Sequence, residues 1–398
     1  MKLPDAPWRS RHGMDRLLRT LGADSGETRF VGGCVRDTLL GLEVSDVDLA
    51  TRLTPEEVMA RLDRARIKAV PTGIAHGTIT AVIGGAPVEV TTLRRDVTTD
   101  GRRATVAFTD DWREDAARRD FTINALSASP ADGALFDYFG GMEDLEERTV
   151  RFIGEPLQRI AEDHLRILRF FRFHARFGSG APEPAGLEAC AGRANDLMAL
   201  SRERIADELL KLLALPDPAP TAALMVSRGI FRPVLPEIES AERLAALVAA
   251  ERTAGIAPEA VRRLAALLPP DPDAAADVAA RLRLSRRLAK RLVSAARAEL
   301  AAPEVLAYRI GAAEAIDRFL LHSDSPPPDL AALEQWKRPR LPVGGGDLLA
   351  MGLEAGPAVA ATLQAIERDW IAGGFSGDTQ AVRALARRHV DQALRASQ

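Results

Sequence analysis

Phe30-Val31-Gly32-Gly33-Cys34-Val35-Arg36-Asp37-Thr38-Leu39-Leu40-Gly41-Leu42-Glu43-Val44-Ser45-Asp46-Val47-Asp48-Leu49-Ala50-Thr51 is the stretch around which the chain is organised. It opens apolar, breaks at Gly32-Gly33 and runs on as a helix-like segment from Val35 to Leu40. Asp46 and Asp48 flank Val47 at the start of an apolar strand, Val47–Thr51. Side chains on a strand alternate between faces, so the two carboxylates are expected to point the same way. They repel unless a cation lies between them, and a hard oxygen pair suits Mg²⁺, which binds one or two carboxylates together with substrate phosphates. The glycine pair lets backbone N–H groups approach an anion closely, and the following helix start favours negative charge. Arg36, one turn into that helix, is placed to pair with phosphate. The stretch implies a nucleoside-triphosphate and metal site.

Outward from this point, Thr28–Val31 is expected as the first strand and residues 11–22 as a helix before it. Thr54-Pro55-Glu56-Glu57 has the chemistry of a helix start, with Thr54 as cap and Pro55 at the first position. Strands are expected at Ile67–Pro71, Thr78–Ile83 and Val88–Thr92, the last two joined at Gly84-Gly85. Glu89, in the last of these, is a candidate third carboxylate beside Asp46 and Asp48. Asp100–Asp110 has turn composition and is expected as a loop, followed by a short helix at Trp112–Arg118. Beyond Gly140 the strand signals fade. Glu155–Phe177 is expected as one long helix, with Arg159, Glu162, Asp163, Arg166 and Arg169 on one arc. Ser201–Lys211 follows as a capped amphipathic helix, and Pro269-Pro270-Asp271-Pro272 as a linker.

Gly-Gly-x-Val-Arg-Asp followed by Asp-x-Asp resembles the signature of the class II CCA-adding and poly(A) polymerase family, tRNA nucleotidyltransferases of the polymerase-β-like superfamily. Arg118-Arg119-Asp120-Phe121-Thr122-Ile123-Asn124-Ala125 matches the family's Arg-Arg-Asp-Phe-Thr-x-Asn-Ala motif in each fixed position. Glu162-Asp163-x-x-Arg166 matches its nucleotide-selecting motif. The resemblance is specific over residues 28–211 and looser beyond. It implies an α+β fold: a nucleotidyltransferase head with a small antiparallel sheet over 1–140, then helical neck (141–215), body (216–270) and tRNA-binding tail (271–398). It implies Mg²⁺ on Asp46 and Asp48, a catalytic role for Glu89, and triphosphate contacts from Gly32, Gly33, Arg36 and Arg119. Asp120 and Asn124 would hold the ribose or the local architecture. Arg169 and Arg172 would complete the nucleotide pocket, and Arg172 and Arg176, drifting towards the next face of the helix, are placed to reach triphosphate or RNA. Ser201–Lys211 would brace the selecting helix.

The implied reaction is template-independent addition of C, C and A to the tRNA 3′ end from CTP and ATP. Residue chemistry adds a reason for the choice of bases. An ionised Asp163 only accepts hydrogen bonds and Arg166 only donates. Cytosine and adenine each present an amino donor beside a ring-nitrogen acceptor, whereas uracil and guanine present the reverse order. Alternatives are addition of A alone, a non-catalytic RNA-binding protein, and transfer to a small-molecule acceptor. The Asp46/Asp48 pair argues against a pure binder, and the Arg-rich helical tail against a small acceptor.

Composition sets outer bounds. The chain has 398 residues, a net charge of −3 and two cysteines, Cys34 and Cys190. That size accommodates several domains, and two cysteines make no disulfide framework, so a cytoplasmic protein is expected. No apolar run approaches the ~20 residues that span a bilayer. The acidic balance hides clustered basic residues. Arg281–Arg291 carries six without an acid, and Trp336–Arg340 carries three more. Arg283, Arg286, Arg287 and Lys290 are the candidate contacts to RNA phosphate. No protein partner and no membrane association is indicated.

Overall fold

The structure, a computed structural model, describes residues 1–99, 104–324, 327 and 329–396. Its architecture is α+β, with the strands gathered before residue 137 and helices after it. The strands are β1 (Thr28–Val31), β2 (Asp48–Thr51), β3 (Lys68–Gly73), β4 (Thr78–Ile83), β5 (Ala86–Thr92), β6 (Arg94–Thr99), β7 (Ala104–Phe108), β8 (Ser127–Ala128) and β9 (Leu135–Phe136). Among them run helices α1 (Met14–Thr20), α2 (Gly33–Leu39), α3 (Pro55–Arg64) and α4 (Trp112–Ala117). Seven strands form one sheet in the order β3-β4-β5-β2-β1-β8-β9. The sheet is antiparallel as expected except where β2 lies parallel to β5. That single parallel pair sets Asp48 opposite Glu89.

Local chemistry explains the elements. Thr54 Oγ1 accepts from the N–H of Glu57, while the Glu57 carboxylate accepts from the N–H of Thr54, closing a capping box at the start of α3. In β5, Val88, Val90 and Thr92 are buried and Glu89 is exposed, the period-two pattern of a strand with one covered face. The expected loop at Asp100–Asp110 is corrected in part. Ala104–Phe108 is a strand paired with β6, its β-branched and aromatic residues outweighing the turn chemistry nearby. Residues 100–103 lie outside the described residues.

The helices continue as α5 (Gly141–Glu146), α6 (Pro156–Glu162), α7 (Arg166–Phe177), α8 (Pro184–Gly192), α9 (Arg202–Leu213), α10 (Ala219–Ser227), α11 (Glu242–Ala254), α12 (Ala260–Leu267), α13 (Pro272–Arg281) and α14 (Arg286–Ala295). The single helix expected over Glu155–Phe177 is two. Asp163 adopts an extended backbone (φ −152°, ψ 106°), and its carboxylate accepts from the N–H of Leu165 at 3.1 Å. A side chain that binds its own backbone two residues on offers the chain an alternative to the helix. The head is tied to α7 by rings: Phe121 lies 5.2 Å from Phe173, and Phe152 stacks on Phe170 at 5.5 Å. Such aromatic pairs add about 0.5–1.5 kcal/mol each beyond burial.

The expected linker at Pro269–Pro272 is instead a helix start. Asp271 caps α13 by accepting from the N–H groups of Asp273 and Ala274, and Pro272 takes the first helical position. The chain divides into two compact units, residues 1–248 with 258–292, and residues 249–257 with 293–398. The boundary expected at 271 therefore falls inside the first unit. The second unit holds α15 (Pro303–Ile310), α16 (Ala312–His322), α17 (Gly345–Ala350), α18 (Pro357–Ala372) and α19 (Thr379–Ala396), with Tyr308, Trp370 and Phe375 in mutual contact at its centre. No helix among the described residues is long and apolar enough to cross a membrane.

Candidate active site

β1 ends at Val31 and the chain turns at Gly32, with φ +70° and ψ −126°. A Cβ there would stand 2.7 Å from Nη1 of Arg119. The backbone conformation favours glycine at this position, and the Arg119 guanidinium approaches it closely. α2 is only seven residues long, so Arg119 adds a full positive charge where the helix end alone supplies a partial one.

Asp48 opens β2, and Asp46 lies in the preceding loop rather than on the strand. Both nevertheless line one cavity of about 600 Å³. Asp46 is exposed and accepts from Ser45 Oγ at 2.8 Å. Glu89 is the register partner of Asp48 on β5, and it flanks the cavity without lining it. Burial pushes the Asp48 carboxyl up to about 6; Glu89 adds to the rise, Arg119 opposes it, and Asp46 adds a smaller part. A half-buried carboxylate crowded by two others gains from a cation. Among the described residues no three metal-ligating side chains converge into a ready-made cage. The donor set still fits Mg²⁺, which keeps several waters and takes one or two carboxylates plus phosphate oxygens.

The opposite wall is a lattice of ion pairs. Asp120 is buried and accepts from its neighbour Phe121 N–H at 2.9 Å, from Asn124 Nδ2 at 2.9 Å and from Arg169 Nε at 2.7 Å. Burial alone would raise its pKa, but the Arg169 charge and these hydrogen bonds hold it below the usual carboxylate range. Asn124 Oδ1 accepts in turn from Arg36, which also donates to Asp37 at 2.8 Å. Arg172 donates to the buried Glu208 of α9 at 2.6 Å. Gly32, Gly33, Arg36, Arg119, Asp120, Asn124, Arg169 and Arg172 all line the same cavity as the two aspartates. Cys34, buried beside them, has its thiol pushed up to about 11 by burial.

Asp163 and Arg166 also line the cavity, but they are not paired side chain to side chain. Asp163 accepts from Arg204 of α9 at 2.8 Å. Arg166 donates to Glu162 at 2.5 Å and to the backbone carbonyls of Arg159 and Arg118 at 2.8 and 3.0 Å. The surface i,i+3 pair that a continuous helix would have made is absent, and each side chain is instead anchored from behind. Sequence reasoning placed α9 as a brace without naming the residues. Arg204 and Glu208, four apart on one helix face, are the two that reach the site. That spacing of an arginine and a glutamate was the available signal. Arg283, Arg286, Arg287 and Lys290 lie elsewhere in the first unit, on and before α14, and all four are exposed. Arg283 donates to Glu203 at 2.7 Å.

Comparison with known proteins places the chain among its relatives. The family described as "Poly A polymerase head domain" matches residues 28–151, and "Probable RNA and SrmB- binding site of polymerase A" matches residues 181–242. The chain is 35% identical over 406 residues to the mitochondrial CCA tRNA nucleotidyltransferase 1 of Homo sapiens, covering 94% of this chain and 90% of that protein. It is 44% identical over 198 residues to the CCA-adding enzyme of Oceanobacillus iheyensis, covering 49% of this chain and 48% of that protein. Among solved structures, the Bacillus stearothermophilus CCA-adding enzyme in complex with CTP superposes with a TM-score of 0.75 at 27% identity, covering 96% of this chain and 98% of that one. With its motifs gathered on one cavity and its likeness running nearly end to end, the chain belongs to the family of CCA-adding tRNA nucleotidyltransferases.

Proposed function

We propose that this chain extends the 3′ end of tRNA by C, C and A, taking CTP and ATP without a nucleic-acid template and releasing pyrophosphate at each addition. One observation carries the reading: Asp46 and Asp48 share a cavity with Asp163 and Arg166, so a phosphate-activating site and a base-reading site sit within one nucleotide's reach. The relatives that match over most of the chain carry the same activity in their names.

Asp46 and Asp48 would hold Mg²⁺, which when bound neutralises charge on the triphosphate and makes the acceptor hydroxyl more acidic. The chain's own groups do the rest. Gly32 leaves backbone open to the phosphates, and Arg119 beside it supplies positive charge. Glu89, opposite Asp48, concentrates negative charge on the side where the cation is needed. Asp120, Asn124 and Arg36 hold one another and so fix the surface on which the sugar rests. Asp163 accepts from the amino group of cytosine or adenine, and the donors left on Arg166 meet the neighbouring ring nitrogen. Positioning and electrostatics of this kind account for most of the catalysis in phosphoryl and nucleotidyl transfer.

The test is extension of a tRNA that ends at its discriminator base, with magnesium and each triphosphate singly and together. The expected products are two added nucleotides with CTP and three with CTP and ATP. Extension by ATP alone would move the reading to A addition. Binding of tRNA without extension would reduce the protein to an RNA-binding one.

A further inference from the structure

Six arginines line the cavity, and they differ in what already holds them. Arg169 grips Asp120 through Nε and Nη2, both at 2.7 Å, and its Nη1 lies 3.6 Å from Glu208. Arg172 is bidentate on Glu208 at 2.6 and 3.4 Å. Arg36 is held by Asp37 at 2.7–2.8 Å, and Arg166 by Glu162. Arg119 and Arg176 are held more loosely: Arg119 Nη2 lies 3.7 Å from Asp115 in a more covered position beside Gly32, and Arg176 is the more exposed of the two. Arg176 Nη2 stands 3.6 Å from Asp37 Oδ2, beyond hydrogen-bond range, and its side chain is 40% exposed. The carboxylate it faces is already engaged by Arg36, so the group Arg36, Asp37 and Arg176 carries a net charge of +1. Both guanidinium groups lie over the Phe177 ring, at 4.1 and 5.0 Å from its centroid, and that ring is buried. The platform fixes where the surplus charge sits.

We infer that Arg176 is a phosphate-binding residue of this cavity, receiving an oxygen of the triphosphate tail or of the acceptor's terminal backbone phosphate. The inference rests on the nucleotidyl-transfer reading and refines it. Both Arg172 and Arg176 are expected from sequence to reach triphosphate or RNA, but Glu208 holds Arg172 and balances its charge. Arg176, one turn further on α7, takes the anion.

Three measurements on the full chain test this: the KM for CTP, the Kd of inorganic pyrophosphate by calorimetry, and the Kd of tRNA by filter binding. Arg176→Ala should weaken binding at least tenfold in one of two patterns. A higher KM with weaker pyrophosphate binding and unchanged tRNA binding assigns Arg176 to the triphosphate. Weaker tRNA binding with unchanged pyrophosphate binding assigns it to the acceptor. Arg176→Lys, which keeps the charge and loses the fork, should recover part of the loss and melt as the parent protein does. All three constants within twofold of the parent for both variants would overturn the inference. Pyrophosphate binding does not depend on which acceptor is extended. An Arg176-dependent pyrophosphate site in a chain that fails to extend tRNA would therefore sink the proposed function and leave this inference standing.

Discussion

Asp48 carries the sharpest expectations at the scale of single residues. It is half-buried, lines the cavity with Asp46 and lies opposite Glu89 on the adjoining strand. Replacing Asp46 or Asp48 by Ala should lower kcat by 10³-fold or more, about 4 kcal/mol of transition-state stabilisation, with tRNA affinity retained. Near-normal turnover in either variant would end the two-carboxylate proposal. The raised pKa of Asp48, about 6, adds a pH dependence. In the metal-free protein the folded state takes up this proton before the unfolded state does. Stability contributed by this group therefore rises as pH falls through about 6, and is lowest when the carboxylate is ionised above it. Denaturant titrations of the metal-free protein from pH 5 to 7 should show this slope, and Asp48→Asn should abolish it. Proton and cation also compete for the same oxygens, so calorimetric Mg²⁺ affinity should drop below about pH 6. Gly32, Arg36, Asp46 and Asp48 were legible from the glycine pair, the helix start and the spaced carboxylates, and Asp120 and Asn124 from the motif resemblance that contains them. Asp37 and Glu208 were not seen as part of the site. A buried counter-charge is defined by its partner, and Arg172 and Glu208 are 36 residues apart.

Two local departures from regularity build the site at the scale of elements. The parallel pairing of β2 with β5 puts the third carboxylate beside the second, and strand periodicity alone could not choose that pairing from among its neighbours. The break between α6 and α7 frees Asp163 from the helix so that Arg204 can hold it. Nothing in Glu162-Asp163-His164-Leu165 is a helix breaker, and the 3.6-residue pattern runs through it without a fault. Tertiary contacts decide the break, as the aspartate gains a backbone N–H and an arginine in exchange for helical hydrogen bonds. If Asp163 and Arg166 read the base edge, Asp163→Ala and Arg166→Ala should each reduce incorporation of C and A and relieve rejection of UTP and GTP. A loss of discrimination of tenfold or more, about 1.4 kcal/mol, is expected. Arg204→Ala leaves Asp163 held by the Leu165 N–H alone and should produce a milder form of the same defect. Incorporation of all four triphosphates by the three variants is the measurement. Unchanged ratios in every variant would place base choice elsewhere and leave α7 as scaffold.

At the scale of the whole molecule, the chain is net acidic, at −3, yet its proposed partner is a polyanion, so binding depends on how charge is distributed. The mixture of strand and helix signals before residue 140, and the fading of the strand signals afterwards, made the α+β plan legible. The division into units was less so, because Pro269–Pro272 has the composition of a linker and the role of a helix start. The basic run Arg281–Arg291 was legible as a cluster, but its members differ once folded. Arg281 is bidentate on Glu237 at 2.7–2.8 Å, and Arg283 is paired with Glu203. Both charges are thus balanced locally, while Arg286, Arg287 and Lys290 lie exposed on the first turns of α14. Each cation that neutralises an RNA phosphate releases condensed counterions, and the logarithm of the binding constant then falls with the logarithm of salt by about 0.7–0.9 per contact. Replacing Arg286, Arg287 and Lys290 together by Ala should therefore reduce that slope by roughly 2–3 and weaken tRNA binding at low salt most of all. Arg283→Ala alone should change the slope little, since an exposed pair already cancels its charge. Turnover at saturating tRNA should stay near that of the parent, because none of these residues lines the cavity. Filter binding from 50 to 300 mM salt, paired with kcat at saturating acceptor, separates the outcomes. A parent-like slope in the triple variant would mean that α14 turns these side chains to solvent and that the acceptor is held by other parts of the chain.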